Sequence, residues 1–320
     1  MLAGGTGGAK LARGMLDVVG PDELVVIANT GDDIDIYGAH VSPDPDLISF
    51  WLADLIDERG WGLRDDTFAV MDALRALGQD VWFNLGDRDL AWCIERKRMI
   101  DEGLRPTEAL ARLNETIGVR AAVLPMSDEP LRTIVNGVPL QEFLIRERGQ
   151  GPIRDVAFEE PRGSSQATPE VWAALRDARA LIVGPSNPVI SIWPILATLQ
   201  GALAEVSAPV VCVSPIVAGQ VLKGPTAAFL QAFQLPVSAA GVVAYYESIA
   251  TGLLDGVVAD EAVPSGPPAF KDEQTRVFSD PRESVPDRLQ TLQIETAMPD
   301  ATARARVAEQ TLRFAESLAG

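Results

Sequence analysis

Helix-like and strand-like hydrophobic patterns alternate from the start of the chain. Within residues 11–19, apolar side chains recur at the i, i+4, i+7 and i+8 positions of one helical face. Residues 24–28, LVVIA, are continuously apolar, which is typical of a buried strand in a parallel sheet. A short strand is also predicted at Val81–Phe83. Further helical patterns lie at 47–56, 66–77 and 87–101. The alternation predicts repeated strand–helix units.

The middle of the chain has a different pattern. Between about residues 120 and 159, short apolar runs are separated by turns, which predicts an antiparallel meander. Strand–helix alternation returns at residues 180–188 and 209–217. The whole pattern predicts an α/β fold that is Rossmann-like and doubly wound, with a mainly parallel sheet and an additional smaller α+β lobe. We expect a single domain over residues 1–320, in which this lobe, at about 87–165, is inserted between the two strand–helix halves.

Composition and charge narrow the chemistry that the chain can perform. Its 27 Lys and Arg against 45 Asp and Glu give a net charge of −18, which argues against nucleic acid as a partner but not against a small anionic ligand. The presence of a single histidine, His40, removes most schemes for Ser-His-Asp catalysis or a histidine-rich metal site. Cys93 and Cys212 have no metal-type spacing. No apolar run reaches the ~18 residues of a membrane span and no signal-peptide pattern is present, so we expect a cytoplasmic protein that has no membrane partner.

Three loops share one design, in which a predicted strand ends in a loop that opens a helical pattern. They are GGTGGAK at 4–10, GPSNP at 184–188 and SPIVAGQVLKGP at 214–225. Glycine lets the backbone approach an anion, and a helix N-terminus adds partial positive charge. One such loop can serve only to pack a helix against a sheet, but three together favour a nucleotide or diphosphate ligand. The candidate phosphate- or nucleotide-binding residues are Gly4, Gly5, Thr6, Gly7, Gly8, Lys10, Gly184, Ser186, Asn187, Ser214 and Lys223.

Acidic clusters follow the predicted strands at three places. They are NTGDDIDIYG at 29–38, SPDPD at 42–46 and NLGDRD at 84–89. Carboxylates that meet at strand ends can hold Mg²⁺, a hard cation that takes oxygen ligands and pairs with phosphates. The alternative is that these residues are helix caps, because Asp is a favoured N-cap residue. The acids that stand just before a helical pattern are Asp44, Asp46 and Asp87.

In this order, the motifs resemble the family of 2-phospho-L-lactate transferases, which act in the biosynthesis of the deazaflavin coenzyme F-420. The resemblance lies in GGTGGAK, NTGDD, VSPDPD, DDTF, LGDRD, LPMSDEP, IVGPSNPVISI, and VSPIV with KGP. It runs from residue 1 to about residue 260, and the combination is specific although each motif alone is not. It suggests a homodimer. It assigns no role to residues 261–287, which are rich in Pro, Asp and Glu and are predicted to be a flexible excursion.

The resemblance implies a definite reaction. A three-carbon acid, activated as its 2-diphospho-5′-guanosine derivative, is attacked by the terminal ribityl hydroxyl of the deazaflavin Fo; the phospho-acid is transferred and GMP leaves. The acid is lactyl, enolpyruvyl or glyceryl, and the residues do not choose among the three. Mg²⁺ is the expected cofactor. Such a transfer needs positioning and charge neutralisation more than covalent help, so a site rich in Asp and poor in His is adequate.

Roles for individual residues also follow from the resemblance. The first glycine loop with Lys10, and also Ser186, Asn187 and Lys223, would face the phosphates of the donor. Asp32 and Asp33 would help to bind Mg²⁺, with Asp46 as a shared ligand or a general base. The predicted catalytic residues are Asp33 and Asp46. The predicted deazaflavin-binding residues are Asp46, Asn84, Asp87 and Arg88.

One departure and two alternatives accompany this interpretation. Only Met1, Leu2 and Ala3 precede the glycine loop, where the resemblance implies a full first strand, so we expect a shortened central strand. A sugar-nucleotide-binding regulatory protein, like the related gluconeogenesis-factor proteins, would share the glycine loop but would not need SPDPD with LGDRD. An NAD-dependent dehydrogenase would need the G-x-G-x-x-G fingerprint, which the loop lacks. The acid set therefore favours the transferase.

Overall fold

The computed structural model describes residues 1–160, 166–222, 224–266 and 285–319. Its strands are β1 (Leu2–Ala3), β2 (Val25–Ala28), β3 (Ile34–Ile36), β4 (Ala39–Val41), β5 (Ala122–Pro125), β6 (Arg132–Val135), β7 (Val138–Pro139), β8 (Val156–Glu159), β9 (Leu181–Val183), β10 (Val210–Val213), β11 (Ile216–Val217), β12 (Gln220–Val221), β13 (Gly256–Ala259) and β14 (Gln290–Gln293). Its α-helices are α1 (Gly5–Val19), α2 (Pro43–Leu52), α3 (Ala69–Ala76), α4 (Asp87–Asp101), α5 (Pro106–Thr116), α6 (Pro169–Arg176), α7 (Trp193–Leu203), α8 (Thr226–Ala232), α9 (Ala239–Ile249) and α10 (Ala301–Leu318). Short π-helical turns lie at Glu142–Arg146 and Pro188–Ile192.

A parallel sheet of seven strands, in the order β14-β13-β10-β9-β1-β2-β5, forms the centre of the described structure. Successive side chains of a strand face opposite sides of the sheet, and both sides are buried. Val26 and Ala28 lie in the cluster that contains the apolar faces of α1, α2 and α10, whereas Ile27 lies in the cluster that contains those of α7 and α9. Helices on both faces of a parallel sheet make the fold doubly wound. The predicted Rossmann-like α/β fold is confirmed.

Strand β1 occupies the middle of this sheet. Leu2 is fully buried and pairs with Ile27 of β2 on one side and Val183 of β9 on the other. The Met1 amino group donates a hydrogen bond of 2.8 Å to the carbonyl oxygen of Val25, and burial lowers the pKa of this amine to about 5. Strand β1 therefore links β2 to β9 in the centre of the sheet.

Smaller antiparallel sheets lie beside the large one. They are the hairpins β3–β4 and β11–β12, and a three-stranded sheet in the order β7-β6-β8. The predicted meander is thus found at β6–β8, but residues 122–125, which were assigned to it, form β5, the parallel edge strand of the large sheet. The range 87–165 therefore contains α4 and α5 before β5 and the small sheet after it. The single-domain division of residues 1–320 stays a prediction.

The strand predicted at Val81–Phe83 is not formed. These residues have no regular structure, and no strand lies beside them in the described part of the chain. Phe83 is nevertheless 8 % exposed, with its ring in edge contact with Trp82 at 5.6 Å, and its N–H bonds to the Tyr37 hydroxyl at 3.2 Å. The apolar run therefore fills a core without pairing.

None of the described helices has the combination of length and apolar character that crossing a membrane requires.

Candidate functional site

Five strands of the large sheet open at their carboxyl ends into one cavity of about 780 Å³. Its wall is built from loops that follow β1, β2, β9, β10 and β14, which is where a doubly wound sheet binds its ligand. The predicted site residues that line it are Gly4, Gly5, Thr6, Gly7, Lys10, Asp32, Asp46, Ser186, Asn187 and Ser214. The structure thus gathers most of the predicted donor-binding residues into one place, while their roles stay predictions.

The first glycine loop is the N-terminus of a helix that starts at the cavity wall. Helix α1 begins at Gly5, immediately after β1, and the N–H of Gly5 donates a 2.6 Å hydrogen bond to Oδ1 of Asp44. A Cβ atom on Gly7 would lie 2.1 Å from the carbonyl oxygen of Pro185. Only glycine therefore lets the loops after β1 and β9 come so close. The positive end of the α1 dipole faces the cavity, as an anion-binding role requires.

Other predicted donor-binding residues join the loops after β1 and β9, and Lys10 contacts the segment after β14. The N–H of Gly4 donates to Oγ of Ser186 at 3.1 Å. Gly8 and Gly184 lie behind the cavity wall, where a Cβ on Gly8 would stand 2.6 Å from that same Oγ atom. Lys10 Nζ donates to the Met298 carbonyl oxygen at 3.3 Å. Lys223 lies outside the described residues, so its predicted contact with the donor stays a prediction.

Two buried carboxylates share one amide at the centre of the cavity wall. Asn29 Nδ2 donates to Oδ2 of Asp44 at 2.9 Å and to Oδ1 of Asp32 at 3.3 Å, and Gln141 Nε2 donates to Oδ2 of Asp32 at 2.7 Å. Burial, reinforced by the charge of Asp44, raises the pKa of Asp32 well above its usual range, and burial raises the pKa of Asp44 to about 6. Neither forms an ion pair with a described residue. Two buried carboxylates without an ion-pair partner make this position electrostatically favourable for a cation.

Asp46, only two residues further along α2, has different partners. It is 4 % exposed and forms a buried ion pair with Arg96, and its Oδ1 accepts a 2.8 Å hydrogen bond from Nε1 of Trp92. Arg96 also donates to the carbonyl oxygen of His40 at 3.0 Å. The oxygens of Asp46 are therefore engaged by the protein, although the residue lines the cavity.

Asp33 points away from the main cavity. It lines a second cavity of about 290 Å³, where its Oδ1 accepts a 2.8 Å hydrogen bond from Oγ of Ser42 and its Oδ2 lies 3.4 Å from Nε2 of His40. Asp32 and Asp33, which are adjacent in the turn after β2, thus line different cavities. The predicted catalytic pair, Asp33 and Asp46, is not brought together in one cavity.

The three predicted metal ligands are likewise not gathered. Among the described residues, the acid and thiol side chains whose ligand atoms come within 4.8 Å of one another as a group of three are Asp46, Asp89 and Cys93. Burial raises the pKa of the Cys93 thiol well above its usual range, so it remains a neutral thiol, which is a poor ligand for Mg²⁺. Asp44, rather than Asp33 or Asp46, lies with Asp32 beside the Asn29 amide, and the metal-binding roles stay predictions.

His40 carries a testable pH dependence. Its Nδ1 lies 2.6 Å from Oδ1 of Asp35 and its Nε2 faces Asp33. Burial disfavours the charged ring, but hydrogen bonds to these two carboxylates outweigh it and raise the pKa of His40 to about 9. Since the folded state holds this proton more tightly, its stabilising effect is complete below pH 6.5 and is lost as the pH rises to about 9. We expect urea unfolding to show wild type more stable than His40→Gln at pH 6, and the difference to shrink by pH 9. A difference that stays constant over this range would contradict the assignment.

One part of the cavity wall, which we call the apolar end, comes from residues 50–89 rather than from the glycine loops. Phe50, Trp61, Phe83 and Leu85 line it, together with the carboxylate of Asp89. Burial and then repulsion by neighbouring carboxylates raise the pKa of Asp89 to about 7. This end offers planar apolar surface beside one proton-accepting group.

The predicted deazaflavin residues of LGDRD lie outside the cavity lining. Asn84 is exposed and accepts a 2.6 Å hydrogen bond from Arg75. Asp87 accepts N–H bonds from the first turn of α3. Arg88 Nη1 donates to the carbonyl oxygen of Arg64 at 3.1 Å. Asp87 does not cap the helix that it begins, α4, whose N-cap is Gly86, but its carboxylate caps α3. The substrate roles of all three residues stay predictions.

Sequence reasoning missed Asp44, Asp89 and Gln141. Asp44 and Asp89 stand inside the motifs SPDPD and LGDRD, but the pattern does not say which acid of each motif faces the cavity. Gln141 precedes a π-helical turn and lies 109 residues after Asp32, so no local signal connects the two. The segment 296–299 also lines the cavity and was not predicted to belong to it.

Comparison with known proteins identifies the family of this chain. The family described as 2-phospho-L-lactate transferase CofD matches residues 1–297. The 2-phospho-L-lactate transferase of Methanosarcina mazei is 35 % identical over 268 residues, covering 82 % of this chain and 86 % of that protein. The one from Methanopyrus kandleri is 33 % identical over 328 residues, covering 100 % and 98 %.

Solved structures support the fold. Two crystal structures of a Bacillus halodurans protein, one of them described as a member of the UPF0052 family, match 97 % of this chain and 98 % of theirs, with TM-scores of 0.56 and 0.58 at 15 % and 16 % identity. At that identity the likeness concerns the fold alone. From the match of the family over nearly the whole chain, and from relatives at 33–35 % identity, the protein belongs to the 2-phospho-L-lactate transferase CofD family and is an enzyme of the transferase class.

Proposed function

We propose that this enzyme transfers a phospho-three-carbon-acid moiety, phosphoenolpyruvate or 2-phospho-L-lactate, from its guanosine-diphosphate-activated donor to the ribityl hydroxyl of Fo. GMP is released and (dehydro)coenzyme F-420-0 is formed, in a reaction that depends on Mg²⁺. The observation that carries the proposal is a single cavity that joins a helix N-terminus and an acid pair to an apolar, aromatic-walled end. The first part suits a diphosphate and a cation, and the second suits a flat aromatic acceptor.

The order of the strands gives the donor a direction. The glycine loop follows β1 and the GPSNP loop follows β9, so the phosphates would lie over these central strands. Ser214 follows β10 and the segment 296–299 follows β14, on the side of the sheet away from β2. The guanosine would extend in that direction. The acyl group and the acceptor would then meet near the acids that follow β2.

The acid pair fits a divalent cation. Asp32 and Asp44 are buried and lie on either side of the Asn29 amide; burial raises the pKa of both carboxyls, and the charge of Asp44 adds to the effect on Asp32. Mg²⁺ takes oxygen ligands and usually completes its shell with phosphate oxygens and water, so Asp32 and Asp44 would hold it from the protein side. When bound, it would neutralise the charge that develops on the diphosphate.

The protein's own groups would supply positioning and a proton acceptor. The amides at the start of α1 would orient the donor phosphates. Asp89 is better placed than Asp46 to take the hydroxyl proton of the acceptor, because its side chain has no hydrogen-bond partner among the described residues and its pKa, about 7, suits a general base. Asp46 would instead hold Arg96 beside the cavity.

A product assay tests the proposal. Purified protein is incubated with Fo, Mg²⁺ and each of the three guanylylated donors, and the products are identified by mass spectrometry. We expect one donor to give an acid-bearing phosphate ester of Fo together with GMP. Removal of the metal with EDTA should reduce turnover to background, and added Mg²⁺ should restore it. If no donor gives a modified Fo, or if turnover persists in EDTA, the proposed reaction or its cofactor is wrong.

A further inference from the structure

An exposed tryptophan stands at the tip of a hairpin beside the cavity. The chain reverses between Leu55 and Arg64, with the N–H of Arg64 bonded to the carbonyl oxygen of Leu55 at 2.9 Å and an antiparallel bridge between Ile56 and Leu63. Trp61 lies at the tip of this hairpin, which we call the 55–64 hairpin. It lines the cavity while 52 % of its surface is exposed. An aromatic side chain of this size is normally buried, so its exposure needs an explanation.

Local contacts fix the indole in place. The guanidinium carbon of Arg59 lies 4.4 Å from the centre of the Trp61 ring, within the range of a cation–π contact. Arg59 is itself oriented by Asp57, whose Oδ1 accepts hydrogen bonds from the backbone N–H of Arg59 at 2.9 Å and from its Nε at 2.6 Å. The exposed ring is therefore held, which lowers the entropy cost of its meeting a ligand.

The hairpin is tied to the element that carries Asp89. Arg88, at the start of α4, donates to the carbonyl oxygen of Arg64 at 3.1 Å, and Asp66 accepts the backbone N–H groups of Arg88 and Asp89 at 2.9 and 3.1 Å. These bonds set Trp61 and Asp89 on one connected frame at the apolar end. Arg88 of the LGDRD motif therefore supports the structure of the acceptor side, although it does not line the cavity.

We propose that Trp61 is a specificity-determining residue for the acceptor, whose fused planar rings pack against the indole so that its polyol hydroxyl reaches Asp89. The inference rests on the proposed function, because it takes the acceptor to be a flat aromatic molecule with a polyol chain. Phe50, Phe83 and Leu85 supply the other apolar walls. An acceptor that has the polyol but no ring system would lack this contact and would be rejected.

The test compares Trp61→Ala, Trp61→Phe and a matched control, Leu222→Ala. Leu222 is also exposed, at 64 %, and lines the cavity, but it belongs to the loop after β12 on the donor side. Fo is titrated into each protein by fluorescence, and KM and kcat are measured for Fo and for the donor. We expect Trp61→Ala to raise the Kd and KM for Fo about tenfold, with kcat and the donor KM within about twofold of wild type. Trp61→Phe should recover most of the affinity, and Leu222→Ala should leave Fo binding unchanged.

The outcomes separate this inference from the proposed function. If wild type turns over Fo and Trp61→Ala binds Fo as tightly as wild type, the role of Trp61 is wrong and the transferase proposal stands. If wild type binds Fo but forms no product from any donor, the transferase proposal fails, while a weaker Kd in Trp61→Ala still supports the packing role. If Leu222→Ala weakens Fo as much as Trp61→Ala does, the contact is not specific and the inference is overturned. Thermal melts of all three variants check folding.

Discussion

Asp44→Asn should lower kcat at saturating Mg²⁺ and donor by about two orders of magnitude, without destabilising the fold. Asparagine keeps the shape and can still accept the N–H of Gly5, which Asp44 accepts at 2.6 Å. It removes the charge, however, and with it one of the two carboxylates that would hold the cation beside Asp32. Steady-state kinetics over a Mg²⁺ titration measure the effect, and the apparent Mg²⁺ requirement should rise as well.

The stability of the metal-free Asp44→Asn protein should not fall with its activity. Burial raises the pKa of Asp44 from 3.8 to about 6, so in the metal-free protein its ionisation opposes folding as the pH rises through that interval. The corresponding free energy is up to ~3 kcal/mol, and the amide is free of it. The amide nitrogen of the variant would face the Asn29 Nδ2 donor and lose that 2.9 Å hydrogen bond, which offsets the gain, so metal-free Asp44→Asn should melt close to the wild-type Tm at pH 7.5.

The matched control is Asp87→Asn, which changes an acid that LGDRD also marked as a site residue. Its carboxylate accepts the N–H groups of Ala69 and Val70 at 3.0 and 2.9 Å outside the cavity lining. We expect Asp87→Asn to lower the Tm slightly through a weaker cap on α3 and to leave kcat within a factor of about two. Equal kinetic losses in the two variants, or a wild-type kcat in Asp44→Asn, would refute the assignment of the acid pair.

Arg96→Met should destabilise the protein by about 3–5 kcal/mol, the largest stability effect expected from a single substitution near the site. Arg96 is 2 % exposed and its partner Asp46 is 4 % exposed, so methionine would leave a buried carboxylate without its cation. The hydrogen bond from Arg96 to the carbonyl oxygen of His40, at 3.0 Å, is lost as well. Urea unfolding or a Tm measurement gives the magnitude.

A double-mutant cycle isolates the ion pair. Arg96→Met with Asp46→Leu removes both charges, and the double variant should recover much of the stability that Arg96→Met loses, because paired burial of two charges costs nearly as much as it returns. Arg96→Lys keeps the charge but not the two-pronged geometry, so it should fall between wild type and Arg96→Met. Additive losses in the double variant would mean that the two residues do not depend on one another.

The fold and the positions of the donor-side loops could be predicted from the sequence, because both depend on local patterns of residues. Strand–loop–helix units have a hydrophobic period and glycine positions that need no knowledge of neighbours, and β2, β9 and β10 appear where the pattern placed them. The strand prediction at Val81–Phe83 was wrong because an apolar stretch of three residues is also compatible with a loop that fills a core.

The surroundings of the acidic residues were harder to predict, because their hydrogen-bond and ion-pair partners come from distant parts of the chain. Asp44 and Asp46 are two positions apart in the first turn of α2, about 200° around the helix axis, so one meets Gly5 and Asn29 while the other meets Arg96. Nothing within SPDPD distinguishes them. The same holds for Asp32 and Asp33, whose surroundings are decided by Gln141 and by His40.

The contact of Gly7 with Pro185 determines which half of the cavity can adapt. Because a Cβ on Gly7 would collide with the carbonyl oxygen of Pro185, we expect the first glycine loop and the GPSNP loop to move together, as a clamp. On the acceptor side, we expect the 55–64 hairpin, which the hydrogen bond from Arg88 to the Arg64 carbonyl oxygen joins to α4, to adjust more readily to a new substrate. Redesign of this enzyme for other acceptors should therefore begin at that hairpin, while the clamp is left untouched.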